Sequence, residues 1–140
     1  MRKIERIFVH CTAGSQSQSI EDLKQEFRRK GWKSPGYHYV VSPNGGTHQL
    51  LPIEQVSNGV QGYNSTAINV AYIGGIDGNG NPIDNRTIAQ KESLVLLLHK
   101  LHLQFPSAKI LGHRDIWGTN RTKWKKMCPC FDAADEYKDL

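Results

Sequence analysis

The segment KIERIFVH, residues 3–10, decides the fold class of this 140-residue chain. Its second half contains the apolar run Ile7, Phe8 and Val9, which predicts a strand buried on both of its faces. Further along, Asn44-Gly45 lies between two predicted strands and is typical of a β-hairpin turn. The strands predicted beyond the first comprise residues 37–41, 47–51, 68–73 and 109–111.

Two helices are predicted between these strands, and each has a recognisable start. Ser19 is a suitable N-cap for the first helix. Thr87 and Gln90 form a capping box for a longer, apolar helix that runs to about Gln104. Since no repeat or linker interrupts the alternation of helices and strands, residues 1–140 are predicted to form one α/β domain.

The chain carries a formal net charge of +5 and has a pI near 9.2. This balance favours an acidic partner, such as a nucleic acid, an anionic membrane surface or an anionic cell-wall polymer. Much of the excess lies in residues 121–126, which a solvated basic loop would explain equally well. No apolar stretch approaches the ~18–20 residues that span a bilayer. The N-terminal segment also lacks the apolar core of a signal peptide, so the protein is expected to be cytoplasmic when synthesised.

Three metal-ligand side chains occupy the ends of predicted elements. His10 closes the first strand, His113 follows the strand at 109–111, and Cys128 opens a C-P-C segment near the C-terminus. Structural zinc sites usually have four protein ligands, whereas catalytic sites have three and leave a position open for water. Two imidazoles and one thiolate therefore predict a zinc hydrolase.

Other histidines and cysteines compete for these roles. Cys11 should face away from His10, because side chains alternate along a strand, and it is predicted to be a small buried thiol. Spacing alone leaves both Cys128 and Cys130 open as ligands, and the adjacent basic residues favour Cys128. His99 and His102 share one helix face but lack a third ligand nearby, so we expect them at the helix surface.

Five motifs occur in an order that resembles a known family. They are F-V-H-C-T-A, G-W-x-x-x-G-Y-H-Y, G-Y-N-S, G-G-I-D and C-P-x-F-D, and together they extend from Ile7 to about Asp132. The chain thus resembles the zinc-dependent N-acetylmuramoyl-L-alanine amidases of the phage lysozyme type, which are related to peptidoglycan recognition proteins.

The resemblance implies a role for each candidate residue. It implies a Zn²⁺ cofactor bound by His10, His113 and Cys128, and it assigns Cys130 to a variable position of the last motif. It also implies that Tyr37 and Lys126 are catalytic. The implied fold is a central mixed sheet flanked by helices, with zinc in a surface groove.

Two features distinguish this sequence from the family pattern. Relatives commonly carry a histidine in the groove shortly before the G-Y-N-S motif, where this chain has Asn58 and Gly59. The loop between His113 and Cys128 also looks longer than in compact phage enzymes and contains Trp117 and Trp124. We expect these tryptophans to pack the loop down rather than to stack on sugars.

The implied function is hydrolysis of the amide between N-acetylmuramic acid and L-alanine in bacterial peptidoglycan. The expected protein is a monomer that neither inserts into membranes nor binds nucleic acid, and that acts on the cell wall after release. Two alternatives remain at this point. One is a module of the same fold that binds muropeptides without cleaving them, and the other is a basic protein with structural zinc and a nucleic-acid partner.

Overall fold

A computed structural model describes residues 2–140, which form a five-stranded sheet with helices on both faces. The order across the sheet is β3-β2-β4-β1-β5, in which only β3 is antiparallel to its neighbour. The predicted mixed sheet and the predicted hairpin are therefore confirmed. The strands are β1 (Arg6–Cys11), β2 (Tyr39–Val41), β3 (Thr47–Gln49), β4 (Ala67–Tyr72) and β5 (Lys109–Gly112).

The central strand β1 sends alternate side chains into two different layers. Ile7, Val9 and Cys11 enter the main apolar core, whereas Phe8 joins a smaller cluster on the opposite face. His10 shares the face of Phe8, as the period-two alternation of a strand requires. The same alternation confirms that Cys11 is a buried thiol that faces away from His10.

The described part of the chain has three α-helices, and they cover the sheet. Helix α1 (Ile20–Arg29) packs against the His10 face, and α2 (Ile88–Gln104) and α3 (Ala133–Glu136) contribute to the core on the opposite face. Both predicted N-terminal caps are present: Ser19 with Asp22 caps α1, and Thr87 with Gln90 caps α2. Within residues 2–140, none of the helices has both the length and the apolar character needed to cross a bilayer.

The structure moves several predicted boundaries. Strand β1 begins at Arg6 rather than at Lys3, and β2 begins only at Tyr39, so Tyr37 precedes the strand that was predicted to contain it. The loop predicted at residues 114–127 contains the 3₁₀ helix Arg121–Lys123 and all but the first residue of another, His113–Trp117. Since parallel strands β1 and β5 are neighbours, their carboxyl ends meet at one edge of the sheet, which is where ligand sites of open α/β sheets form.

Candidate active site

The carboxyl ends of β1 and β5 bring His10 and His113 together. Residues Val9 and Gly112 are partners in the parallel register, and each histidine is the next residue in its chain segment. Their Nδ1 atoms lie 3.2 Å apart although 103 residues separate them in the sequence. Asp115 accepts a hydrogen bond from the Gly112 amide at 2.7 Å, which stabilises the turn where the chain leaves β5.

Cys128 completes a group of three ligand side chains. Its Sγ lies 3.8 Å from Nδ1 of His10, and the ligand atoms of all three residues lie within 4.8 Å of one another. The Cys11 amide donates to this sulfur at 3.2 Å, and the Arg114 amide donates to the Cys128 carbonyl at 3.0 Å. Backbone groups of β1 and of the segment after β5 therefore position the Cys128 loop.

The Cys128 loop also packs closely against the end of β5. A Cβ atom at Gly112 would lie 2.7 Å from Cδ of Pro129, so only glycine allows this contact. On the other side of Pro129, its carbonyl accepts a buried hydrogen bond of 2.7 Å from the Tyr72 hydroxyl. Sequence reasoning did not assign a role to Gly112 or Tyr72.

Both imidazoles are held in the neutral form that binds metals. Burial lowers the pKa of His10 to about 4, and the nearby charge of Lys126 acts in the same direction. Burial, the His10 ring and Lys126 lower the pKa of His113 to about 3. At neutral pH each ring therefore has one unprotonated nitrogen that can act as a ligand.

A buried polar chain supports His10 from beneath. His10 Nε2 lies 2.8 Å from Oδ1 of Asn69, whose Nδ2 donates to Ser57 at 2.7 Å. Ser57 in turn contacts Nδ1 of His38 at 3.2 Å. All four side chains are at most 1% exposed. Sequence reasoning missed Asn69 and Ser57, although an asparagine inside an otherwise apolar strand is a signal, since buried amides require partners.

The two residues implied to be catalytic line the same cavity as the three ligand side chains. This cavity has a volume of about 220 Å³. The Tyr37 hydroxyl donates to the Cys11 carbonyl at 3.4 Å, and the Tyr37 ring centroid lies 5.1 Å from that of His10. Burial raises the pKa of Tyr37 well above its ordinary value, so the phenol keeps its proton. Lys126 is exposed at the cavity mouth.

Gly59 lines the cavity, and the structure explains why this position carries no side chain. A Cβ atom at Gly59 would lie 2.3 Å from the side chain of Asn69. The Asn69 amide therefore occupies the space that a side chain at position 59 would need.

The two tryptophans of the loop have different surroundings. Trp124 packs the loop down, because Arg114 and Arg121 lie over its ring and its indole N–H donates to Gly118 at 2.8 Å. Trp117 stacks on His113 with 5.5 Å between ring centroids and lines an adjoining cavity. The packing prediction is thus confirmed for Trp124, whereas Trp117 contacts a candidate ligand directly.

The competing histidines and cysteines lie outside the ligand group. The Sγ atoms of Cys11 and Cys130 are 3.9 Å apart on the core side of the sheet. His99 is exposed and His102 half-buried on α2, which confirms their predicted surface position.

Comparison with known proteins identifies the family. Residues 1–130 match the family described as N-acetylmuramoyl-L-alanine amidase. The chain belongs to this amidase family. The family match and the group formed by His10, His113 and Cys128 together make this protein an N-acetylmuramoyl-L-alanine amidase with a candidate metal site.

Individual relatives of this amidase include phage proteins. The endolysin of Klebsiella phage KP32 is 34% identical over 133 residues, which cover 94% of this chain and 83% of the relative. The endolysin of Escherichia phage T7 is 32% identical over 130 residues, covering 91% and 82% respectively. The solved structure of the amidase LysC from Clostridium intestinale shares the fold, with a TM-score of 0.79 at 20% identity over 96% of this chain and 82% of that one.

Proposed function

We propose that this amidase uses a zinc ion bound by His10, His113 and Cys128 to cleave the bond between N-acetylmuramic acid and L-alanine in peptidoglycan. The observation that carries the proposal is the convergence of two neutral imidazoles and one cysteine sulfur on the wall of an open cavity. Three protein ligands suit a catalytic zinc site, which keeps one position open.

Two of the three donor-atom separations are close to those of a zinc site, and the third, between His113 and Cys128, is within 4.8 Å. Zinc–nitrogen distances of about 2.0–2.1 Å and zinc–sulfur distances of about 2.3 Å place neighbouring ligands of a tetrahedral site roughly 3.3–3.6 Å apart. The corresponding separations here are 3.2 Å between the histidine nitrogens and 3.8 Å between His10 and Cys128. When bound, zinc would activate a water molecule and polarise the carbonyl group under attack.

Lys126 is proposed to stabilise the negative charge that develops on the carbonyl oxygen. Lys126 lines the same cavity as the three ligand residues. Groups that act on such an oxyanion commonly contribute about 2.7–4 kcal/mol to transition-state stabilisation.

Tyr37 is proposed to act as a hydrogen-bond donor rather than as a base. Because burial keeps its phenol protonated, the hydroxyl can orient the attacking water or donate to the tetrahedral intermediate. In the structure this hydrogen is directed to the Cys11 carbonyl over 3.4 Å, a long bond that a substrate oxygen can replace.

The biological setting follows from the endolysin relatives. We propose that the protein is a lysis enzyme of phage or prophage origin, made in the cytoplasm and acting on the cell wall once it is released. Its basic loop at residues 121–126 would then face an anionic polymer.

The test is digestion of purified peptidoglycan with and without a chelator, scoring newly exposed L-alanine amino groups against reducing ends. Amidase chemistry releases amino groups without reducing ends, and chelation should abolish the release. Cys128→Ser should lose both zinc and activity, whereas the matched control Cys130→Ser should keep both. A zinc-loaded protein that binds peptidoglycan without releasing amino groups would instead indicate the recognition module.

A further inference from the structure

We infer that Asn69 is a positioning residue that fixes the orientation and tautomer of His10 for metal binding. It does so through a buried hydrogen-bond chain, the Asn69 relay, which comprises Asn69, Ser57 and His38. The inference rests on the proposed zinc site. It extends that site to Asn69 on β4, to His38 just before β2 and to Ser57 before β4. None of these three residues belongs to the ligand group.

Main-chain groups set the direction of the relay at its far end. The carbonyl of Gln55 can only accept, and it lies 2.7 Å from Nε2 of His38, so this nitrogen carries the proton. The amide of Asn69 can only donate, and it lies 3.0 Å from Nδ1 of His38, so this nitrogen is the acceptor. Both observations define the same tautomer of His38. The Arg2 guanidinium nitrogen that lies 3.4 Å from Nε2 donates instead to the Ile53 carbonyl at 2.7 Å.

The remaining links follow from that tautomer. Since Nδ1 of His38 accepts, the Ser57 hydroxyl donates to it at 3.2 Å and is left to accept from Asn69. Nδ2 of Asn69 makes that bond at 2.7 Å. The amide oxygen of Asn69 consequently faces His10 Nε2 at 2.8 Å and accepts its proton. His10 therefore presents an unprotonated Nδ1, the atom nearest to His113 and Cys128.

The opposite orientation of the Asn69 amide would be harmful to metal binding. Its NH₂ group would then face His10 and favour the tautomer protonated on Nδ1, which cannot bind a metal through that atom. The structure disfavours this arrangement, because the Asn69 oxygen would then face Oδ1 of Asn64. That Oδ1 now lies 3.4 Å from Nδ2 of Asn69, and the Val60 amide fixes it as an acceptor at 2.7 Å. Partners that orient a ligand imidazole typically change metal affinity by about 10–100-fold when removed.

The experiment measures zinc affinity by competition with a chromophoric chelator, together with the visible spectrum of the Co²⁺-substituted protein. The variants are Asn69→Ala, which removes the acceptor, and Asn69→Asp, which keeps an oxygen facing His10. Asn58→Ala is the matched control, because Asn58 lines the same cavity but donates to the Ser34 carbonyl. Urea unfolding of each metal-free protein separates folding from binding.

We expect Asn69→Ala to weaken zinc binding by about 10–100-fold and to alter the Co²⁺ spectrum, as removal of an orienting partner does. Asn69→Asp keeps an acceptor facing His10 and should bind zinc at least as tightly as the wild type, and Asn58→Ala should match the wild type throughout. If Asn69→Ala does not fold, Asn69→Leu removes the acceptor at nearly constant volume.

Two results would overturn the inference about Asn69 and leave the proposed zinc site standing. One is wild-type affinity and spectrum in the variant that lacks the acceptor, and the other is an Asn69→Asp protein as impaired as Asn69→Ala. A wild-type protein that binds neither Zn²⁺ nor Co²⁺ would overturn the proposed metal site itself, and the inference with it.

Discussion

Two polar networks lie on opposite faces of the sheet, and they differ in charge and in burial. The Asn69 relay beneath His10 consists of neutral dipoles, each with a defined donor and acceptor. On the α2 and α3 face, an ionic cluster joins Arg86 to Asp84, Glu136 and Tyr137. The Arg86 side chain is 2% exposed, and its guanidinium carbon lies 3.4 Å from the centroid of the Phe131 ring.

The contrast indicates what each network does. Neutral dipoles can orient an imidazole without adding a charge beside a metal ion. The ionic cluster instead joins residues 50 positions apart, because Arg86 precedes α2 and Glu136 ends α3. One network therefore controls the geometry of the site, and the other attaches the C-terminal helix to the core.

Removing His10 should have the largest effect on activity. We expect His10→Ala to reduce amidase activity to background and to lose zinc, because two ligands remain. It should also lower the free energy of unfolding of the metal-free protein by about 1–3 kcal/mol, since Asn69 loses its buried partner. Zinc content, amino-group release and urea unfolding measure these effects. Full zinc occupancy in this variant would show that the relay does not end at a metal ligand.

Lys126 is a charge outside both networks and should affect catalysis alone. Lys126→Ala is expected to lower kcat by about 10²–10³-fold, the usual consequence of losing one oxyanion-stabilising group. Zinc content and unfolding free energy should stay at wild-type values, because the side chain is exposed. Loss of zinc from this variant would indicate that Lys126 is structural.

Breaking the ionic cluster should affect stability without affecting chemistry. We expect Arg86→Met to lower the free energy of unfolding by less than the ~3–5 kcal/mol seen for fully buried pairs, because Asp84 and Glu136 can regain water. The kcat of the folded protein should not change. A large fall in kcat at full zinc occupancy would mean that the ionic cluster also acts on the site.

Acid should weaken the two networks in different pH ranges. Burial lowers the pKa of His38 in the folded protein, so the unfolded protein binds a proton at His38 more readily than the folded protein does. The free energy of unfolding therefore decreases as the pH falls below about 6.5. Hydrogen bonds from Arg86 lower the pKa of Glu136. The contribution of the ionic cluster to the free energy of unfolding is therefore lost only below about pH 4.5. Urea unfolding of the metal-free protein between pH 7 and 3 should show both phases.

The same pH series of urea unfolding, measured on Arg86→Met, isolates the loss of stability below about pH 4.5. The fall below about pH 4.5 should be shallower in that variant, and the fall between pH 6.5 and 5 should be unchanged. In the metal-free protein His10 and His113 act in the same direction as His38, because their pKa values are also lowered. Stability that stays level between pH 7 and 5 would contradict the neutral state of these histidines.

Local sequence patterns predicted the framework of the fold. The apolar run before His10 and the caps at Ser19 and Thr87 are short-range signals, and the structure contains each element that they indicate. Strand ends were less predictable. The pairing of β2 with β3 and β4 begins at Tyr39, two residues after the start of the predicted strand.

The contacts of the Asn69 relay and of the ionic cluster could not be predicted from local sequence patterns. Asn69 and His10 are 59 residues apart and meet only because β1 and β4 are paired in one particular register. Arg86 and Glu136 likewise meet through the packing of α3 on the core. Such partners depend on tertiary structure, although an asparagine in a buried strand and an arginine before a helix cap are signals worth following.

The contact between Gly59 and Asn69 also matters for protein engineering. A side chain at position 59 would overlap the Asn69 side chain. Most variants in a library that changes position 59 alone will therefore contain a steric clash. A groove side chain at 59 requires a smaller residue 69, and that change also removes the hydrogen-bond acceptor of His10. Positions 59 and 69 should therefore be treated as a single design variable when the groove of this enzyme is altered.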